Sequence, residues 1–511
     1  MSPTPLPLIE RFLRQADERA GAPALVGPHG PVTYAELAAT AQGMAESLRD
    51  IAGDDGAPLC LLARKSPAAI ALVLACLMLG RRFLLPAGDL PAATLEDLVV
   101  RAGCGRTVST DADALHRYPG LPVVAVRPRE DARRIAPRPH PQAPGDAVHF
   151  MLTTSGSTGR PKIVPLPDDG IARFIDWAGG QFALGPGGTT LSYAPLNFDL
   201  CLLDIWATLA HGGCVLLVDQ ERATNGTYLL ELLEAHPVAL IQAVPMFYRL
   251  LAEASARRSA RFDRVGSVVF TGDAMPVRTL AALPRVFPRA RLFNIYGCTE
   301  TNDSFIAEVA PAEVPTLQRV PIGRPLPGVD TLVVDADQGV IDGPGRGELW
   351  VATPFQTRGY LGHQGDDKFV AVAGRDGDVV YFRSGDLVER HADGRFTLEG
   401  RMDFHVKVRG VRVNLQDVER VILQHADVVE GAVVAVPDPT AGHRLHAQIR
   451  RRAVSPLNSL SVFQHCAHRL ARTAVPSSIV IDDGPLPKTS TGKVDRRLIL
   501  QNHIREKKHV L

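Results

Sequence analysis

Between about residues 24 and 304, short apolar runs with strand character alternate with stretches of helical spacing. That alternation restricts the chain to a mostly parallel, doubly wound α/β architecture. The strand-like runs lie at 191–194, 215–218, 239–243, 268–271 and 292–295, and the helical stretches at 204–210, 228–235, 246–256 and 277–283. Leu8, Ile9, Phe12, Leu13 and Ala16 fall on one helical face, so an amphipathic helix opens the chain. After Gly323 the texture changes to short strands with Gly/Asp turns, at 331–334, 348–352, 379–382 and 395–399. A last segment beyond 401–403, with helices near 415–425 and 459–472 and strands near 430–436, reads as a separate α+β unit. The Pro-rich stretch 137–144 reads as a loop.

One loop in this frame carries chemistry. Thr153-Thr154-Ser155-Gly156-Ser157-Thr158-Gly159-Arg160-Pro161-Lys162 places four hydroxyls, two glycines and an ammonium in the nine residues from Thr154. Its glycines permit close backbone approach, and its N–H groups, hydroxyls and Lys162 can surround a polyanion such as a triphosphate. A surface Gly/Ser turn has a similar composition, but the flanking apolar runs 148–152 and 163–166 make this a turn between two strands. It is not a Walker loop, which ends in Gly-Lys-Ser/Thr and opens a helix.

Composition narrows the function classes. The 511 residues carry a formal net charge of +1 and a mean hydropathy near zero, which leaves no nucleic-acid footprint. The longest apolar run, 68–79, is shorter than the roughly 20 residues of a membrane span. The N-terminus shows no signal-peptide pattern. Seven scattered cysteines without a C-x-x-C pair argue against a zinc cluster and point to a cytoplasmic protein. Only eight of the 56 basic residues are lysines, at 65, 162, 368, 407, 488, 493, 507 and 508. In a chain this rich in arginine, a lysine marks a position that can require a compact ammonium. Lys65, Lys368, Lys507 and Lys508 are read as surface positions.

Four further segments stand out. Asn294-Ile295-Tyr296-Gly297-Cys298-Thr299-Glu300-Thr301 follows a strand, where open α/β sheets bind ligands. There Tyr296 can stack on a purine, Asn294 can read its amine, Thr299 can bond a phosphate and Glu300 can hold Mg²⁺. Ser384-Gly385-Asp386-Leu387 places a carboxylate between two strands, suited to a pair of ribose hydroxyls. The run from Gly400 to Val413, with Arg401, Lys407 and Gly410, sits at the expected domain boundary. Near the C-terminus, Leu486-Pro487-Lys488-Thr489-Ser490-Thr491-Gly492-Lys493 is a polar, flexible loop carrying two of the rare lysines.

Taken in order, these segments resemble the adenylate-forming superfamily over nearly the whole chain. Within it, the nearest likeness is to amino-acid adenylation domains of nonribosomal peptide synthesis and D-alanyl carrier protein ligases. The resemblance implies a large N-terminal adenylation core (1–402, with a β-rich subdomain at 324–402) and a small mobile C-terminal domain (403–511) hinged at Asp403. It implies that ATP and Mg²⁺ convert an amino acid to an aminoacyl-adenylate with release of pyrophosphate. The aminoacyl group would then pass to the phosphopantetheine thiol of a separate carrier protein, since no carrier signature follows in this chain. Neither nucleic acid nor membrane is an expected partner, and an acyl- or aryl-CoA ligase is the alternative.

Carried over residue by residue, the resemblance makes Lys493, Glu300 and Thr299 catalytic, with Glu300 on the metal. It gives ATP contacts to Thr154, Ser155, Gly156, Ser157, Thr158, Gly159, Lys162, Gly272, Asp273, Asn294, Tyr296, Gly297, Asp386 and Arg401. In Asn197-Phe198-Asp199-Leu200, Asp199 matches the acid that holds a substrate ammonium, although it could also cap the following helix. The other pocket positions are Leu200, Leu203, Gln242, Val269, Thr271, Ile295, Asp303 and Ser304. They suit a small or medium polar amino acid, conceivably a basic one through Asp303. The Leu200/Leu203 pair also resembles prolyl-activating ligases, which keeps proline open. Cys298 departs from the usual Gly-Pro-Thr-Glu, and Leu79-Gly80-Arg81-Arg82 from the usual Lys-Ala-Gly-Gly.

Overall fold

The computed structural model describes residues 7–509 except 53–55, 89, 112, 119, 131–146, 155–160, 363–366, 375–376, 409–410, 439–441, 471 and 490–491. The chain forms two compact units. The first comprises Met1–Thr331, Trp350–Arg383 and Arg395–Thr397, and the second Leu332–Leu349, Ser384–Gly394 and Leu398–Leu511.

The alternating runs become two large, mostly parallel sheets. In the nine-stranded sheet, Arg291–Cys298, Ser267–Phe270, Leu240–Ala243, Thr189–Ser192, Cys214–Leu217 and Pro23–Gly27 lie side by side in parallel. Antiparallel strands close both edges. Such strands are buried on both faces, which is why they read as continuous apolar runs. Successive side chains split between two cores. Leu240, Val269, Phe293 and Ile295 face one cluster, and Ile241, Val268, Phe270 and Leu292 face the other.

The six-stranded sheet has the order Val123–Ala125, Arg106–Ser109, Leu59–Leu61, Phe83–Leu84, Val148–Thr154, Lys162–Pro167. Its last pair is antiparallel with Thr154 opposite Lys162, so the glycine-rich loop joins two strands as its flanks required. The apolar run that is too short for a membrane is the helix Pro67–Met78, capped by Ser66 and buried from Ala69 to Met78. Among the described residues no helix is long and apolar enough to cross a membrane. A further sheet holds the short strands expected after Gly323, and the loop 137–144 lies outside the described residues.

Two local readings change. The helix expected at 204–210 begins as a π-turn over Leu202–Ala207, all six residues buried. Asp199 is not its side-chain cap. The strand expected to stop at Ile295 runs on to Cys298, then returns in Asn302–Glu308 with a register shift at Tyr296/Gly297.

In the second unit a three-stranded sheet packs against helices. Val428–Asp438 pairs antiparallel with Gly442–Arg451, which pairs parallel with Ser478–Asp482. Val418 and Ile422 of the helix Leu415–Leu423, with Val433, Ala447, Ile449 and Val462, form its core.

Candidate active site

The first unit assembles the acidic turn from the hairpin upward. Gly297 lies so close to the returning strand that a Cβ there would fall 2.2 Å from the Asn302 carbonyl oxygen, so no other residue fits. The turn Cys298–Thr301 closes through the Thr301 N–H on the Cys298 carbonyl at 3.0 Å, with the Cys298 thiol 3.2 Å from the Thr301 hydroxyl.

Segment 353–361 ties this turn to the strand after the glycine-rich loop. The Thr357 N–H donates to the Glu300 carbonyl at 2.9 Å, and the Thr357 hydroxyl donates to the Pro165 carbonyl at 2.6 Å. Thr353 donates to the Thr301 carbonyl at 2.9 Å. Tyr360 completes the tie. Its hydroxyl donates to Glu300 Oε1 at 2.6 Å, and the Lys162 ammonium sits 4.0 Å from its ring centroid. Tyr360 escaped the sequence reading because a lone Gly-Tyr in a polar loop carries no signal. With Oε1 held, Glu300 Oε2 has no hydrogen-bond partner among the described residues, and an oxygen of that kind suits a hard divalent cation. Thr154 and Lys162 stand at the two rims of the loop, while Ser155, Gly156, Ser157, Thr158 and Gly159 lie outside the described residues.

The other nucleotide positions of this unit lie at the carboxyl ends of parallel strands. Gly272 and Asp273 follow the strand Ser267–Phe270 and are exposed, Gly272 at φ +80°. Asn294 donates its amide to the Pro321 carbonyl at 2.7 Å. Tyr296 is half-buried, its ring edge-on to Phe305 at 5.7 Å.

The amino-acid positions gather on one sheet face. Ser192, Gln242, Val269 and Phe293 are register partners across four parallel strands, and Ile295 lies one pleat further along the last. Leu203, on the π-turn, packs in the same cluster as Val269 and Ile295. Thr271 is buried just beyond its strand, and Gln242 is 1% exposed with its carbonyl oxygen unpartnered. Asp199 and Leu200 are half-buried. Asp303 is buried, and burial together with the nearby Asp199 carboxylate pushes its carboxyl up to about 8. The Ser304 hydroxyl is committed to Thr301 and the Asn302 carbonyl.

Next to this face lies a pair of opposite charges, Lys65 and Asp204, of which the sequence placed Lys65 on the surface. Lys65 is no loose surface lysine: its ammonium donates to the Ser192 carbonyl at 2.6 Å, the Ser192 hydroxyl at 3.2 Å and the Ala194 carbonyl at 2.8 Å. Asp204 is fully buried, and among the described residues neither carboxylate oxygen has a hydrogen-bond partner. Burial draws Lys65 down and Asp204 up, and the attraction between them opposes both shifts. The scarcity of lysine is the signal that could have singled out Lys65, which the sequence placed on the surface.

In the second unit, Asp386 lies inside the strand Gly377–Arg390 rather than between two strands. Gly385 before it adopts φ +74°. Arg401 reaches the Asp386 carboxylate at 2.9 Å, so two of the expected nucleotide residues meet. Asp403 falls in the short helical turn Met402–Phe404 and Lys407 in the strand His405–Val408, while Gly410 lies outside the described residues. The Lys493 segment is a hairpin rather than a slack loop: Lys488 and Val494 bridge, and the Thr489 N–H donates to the Lys493 carbonyl at 2.8 Å. Two buried acids clamp it, Glu430 through Lys488 at 3.1 Å and Glu419 through a bidentate pair with Arg496 at 2.6 and 2.9 Å. Lys493 itself is exposed.

Comparison with known proteins agrees with this geometry. The "AMP-binding enzyme" family matches residues 12–361, and the "AMP-binding enzyme C-terminal domain" matches residues 417–493. The chain is 30% identical over 507 residues to the L-proline–[L-prolyl-carrier protein] ligase of Streptomyces coelicolor, covering 94% of this chain and 93% of that protein. It is 25% identical to the D-alanine–D-alanyl carrier protein ligase of Bacillus velezensis, over 96% and 98% of the two chains. Its fold is similar to o-succinylbenzoate CoA synthetase from Bacillus subtilis bound to its acyl-adenylate (TM-score 0.81, 21% identity, 97% and 98% covered). A four-domain nonribosomal peptide synthetase bound to AMP and glycine aligns equally well (TM-score 0.81, 23% identity), over 96% of this chain and 36% of that one. On its motifs, its fold and these relatives, the chain belongs to the AMP-binding enzymes, the adenylate-forming superfamily of ligases.

Proposed function

We propose that the chain activates an amino acid with ATP and passes it to the phosphopantetheine thiol of a separate carrier protein. The observation that carries this reading is Asp199, a half-buried acid at the entry to the turn that bears Leu203 and near Asp303, in a chain similar to proline and D-alanine carrier protein ligases. A carboxylate there favours a substrate bearing an ammonium and disfavours a plain or aryl acid, which argues against the CoA-ligase alternative.

In the first half-reaction the substrate carboxylate oxygen bonds to the α-phosphorus, and the α,β-bridging P–O bond breaks to release pyrophosphate. Lys493 neutralises the charge that builds between carboxylate and α-phosphate. The hydroxyls and N–H groups of 154–159 and Lys162 hold the departing β- and γ-phosphates, with Thr299 on a phosphate oxygen. Gly272, Asp273, Asn294, Tyr296 and Gly297 receive the base, and Asp386, steadied by Arg401, takes the ribose hydroxyls. Mg²⁺ would bind Glu300 Oε2 and supply charge neutralisation of the triphosphate, while Tyr360 fixes the carboxylate that holds it. In the second half-reaction a thiolate attacks the mixed-anhydride carbonyl and AMP leaves. Segment 403–511 acts as the mobile domain, with Asp403 as hinge.

The test is ATP–pyrophosphate exchange over a panel of amino acids and their des-amino analogues, followed by mass-spectrometric detection of a loaded carrier protein. Asp199→Ala should lose amino acids selectively. Exchange with aryl or fatty acids alone would overturn the reading.

A further inference from the structure

Acids crowd the substrate face, and one of them, Asp303, has its carboxyl pushed up to about 8 by burial. Three carboxylates lie there: Asp199, Asp204 and Asp303. Lys65 is the cation whose attraction buried Asp204 feels. On the amino-acid reading above, on which this inference rests, the α-ammonium of the substrate answers Asp199. Nothing answers Asp303. Its carboxylate makes no hydrogen bond or ion pair among the described residues, and the charged group it feels most is another acid, Asp199. Gln242 adds a second unpartnered acceptor, its carbonyl oxygen sealed in the sheet face. The hydroxyl nearest Asp303 in sequence, Ser304, already donates elsewhere.

A buried carboxyl without a partner keeps its proton, and a cationic ligand group beside it favours the ionised form and is bound by it. A purely apolar side chain, proline's included, leaves Asp303 and the Gln242 oxygen desolvated and unmet. A side chain ending in an ammonium brings Asp303 a positive charge and up to three donors. Leu200, Leu203, Val269 and Ile295 supply an apolar lining for the methylenes between the two ammonium groups. We propose that the amino acid activated by this enzyme is a diamino acid of short to medium length, its side-chain ammonium held by Asp303.

The experiment compares pyrophosphate exchange for 2,4-diaminobutyrate, ornithine and lysine with their neutral counterparts 2-aminobutyrate, norvaline and norleucine, and with proline. One of the diamino acids should exceed its neutral counterpart in kcat/KM by about 100-fold, as expected for a site built around a buried polar contact. Asp303→Asn should erase that discrimination through a rise in KM for the diamino acid. Preference for proline or a neutral counterpart overturns the proposal while leaving amino-acid activation intact. Equal loss of every substrate in Asp303→Asn, with the wild type showing no preference, assigns the residue a structural role and also overturns it. Failure of all amino acids to exchange defeats the activation reading itself, and this inference with it. If the variant does not fold, the wild-type panel alone decides.

Discussion

The hydroxyl of Tyr360 donates to Glu300 Oε1 at 2.6 Å from a ring that lies under the Lys162 ammonium. One side chain therefore sets the orientation of the expected metal-holding carboxylate and the position of the expected phosphate-holding lysine. Tyr360→Phe keeps the ring and removes the donor. A hydrogen bond to a charged group contributes about 1.5–3 kcal/mol, so exchange should fall roughly 10- to 100-fold, mostly in kcat and in the Mg²⁺ dependence. Unchanged kinetics at limiting Mg²⁺ would remove Tyr360 from the mechanism.

Lys493→Ala should leave the hairpin intact, because Glu419 and Glu430 clamp it through Arg496 and Lys488. Loss of a charge placed against the transition state costs about 10²- to 10³-fold or more in adenylate formation. Calorimetric ATP binding should stay close to wild type. A collapse of nucleotide binding together with the rate would show that the lysine acts in the ground state instead.

Lys65→Met leaves Asp204 buried with no opposing charge, and should cost about 3 kcal/mol in denaturant unfolding. Adding Asp204→Leu should recover more than half of that loss. Strict additivity of the two single changes would mean that the groups are uncoupled.

Asp303 gives a pH signature. Its ordinary value of 3.8 is raised to about 8 in the fold, so the native state keeps a proton that the unfolded chain has released. The stability from this group is full below about pH 3.8, declines as pH rises, and is gone above about 8. Unfolding free energies of wild type and Asp303→Asn should therefore diverge with pH across that window, the variant being relatively more stable at the alkaline end. Parallel curves would contradict the shift.

How legible was all this in the sequence? The strands Leu240–Ala243 and Ser267–Phe270 were, because strands buried on both faces leave unbroken apolar runs. So were Asp386 and Arg401 as candidates, though not their contact, which joins residues 15 positions apart through strand pairing. Other features left no local trace. The strand past Ile295 is held by pairing with Asn302–Glu308, a tertiary effect that overrides the polar look of Tyr296-Gly297-Cys298. Lys65 showed only as a rare residue type, since its partners Ser192 and Ala194 lie 127 and 129 residues away. Tyr360 depends on a contact 60 residues distant.

The π-turn at Leu202–Ala207 bears on how such a pocket can change. A π-turn holds one residue more than an α-turn, and each residue advances an α-helix by about 100°. Removing a single residue there would swing Leu203 and Asp204 off the sheet face while leaving every side chain's chemistry unaltered. The turn that carries Leu203 and the strands that carry Gln242, Val269 and Ile295 are thus two separate elements through which this face can be reshaped.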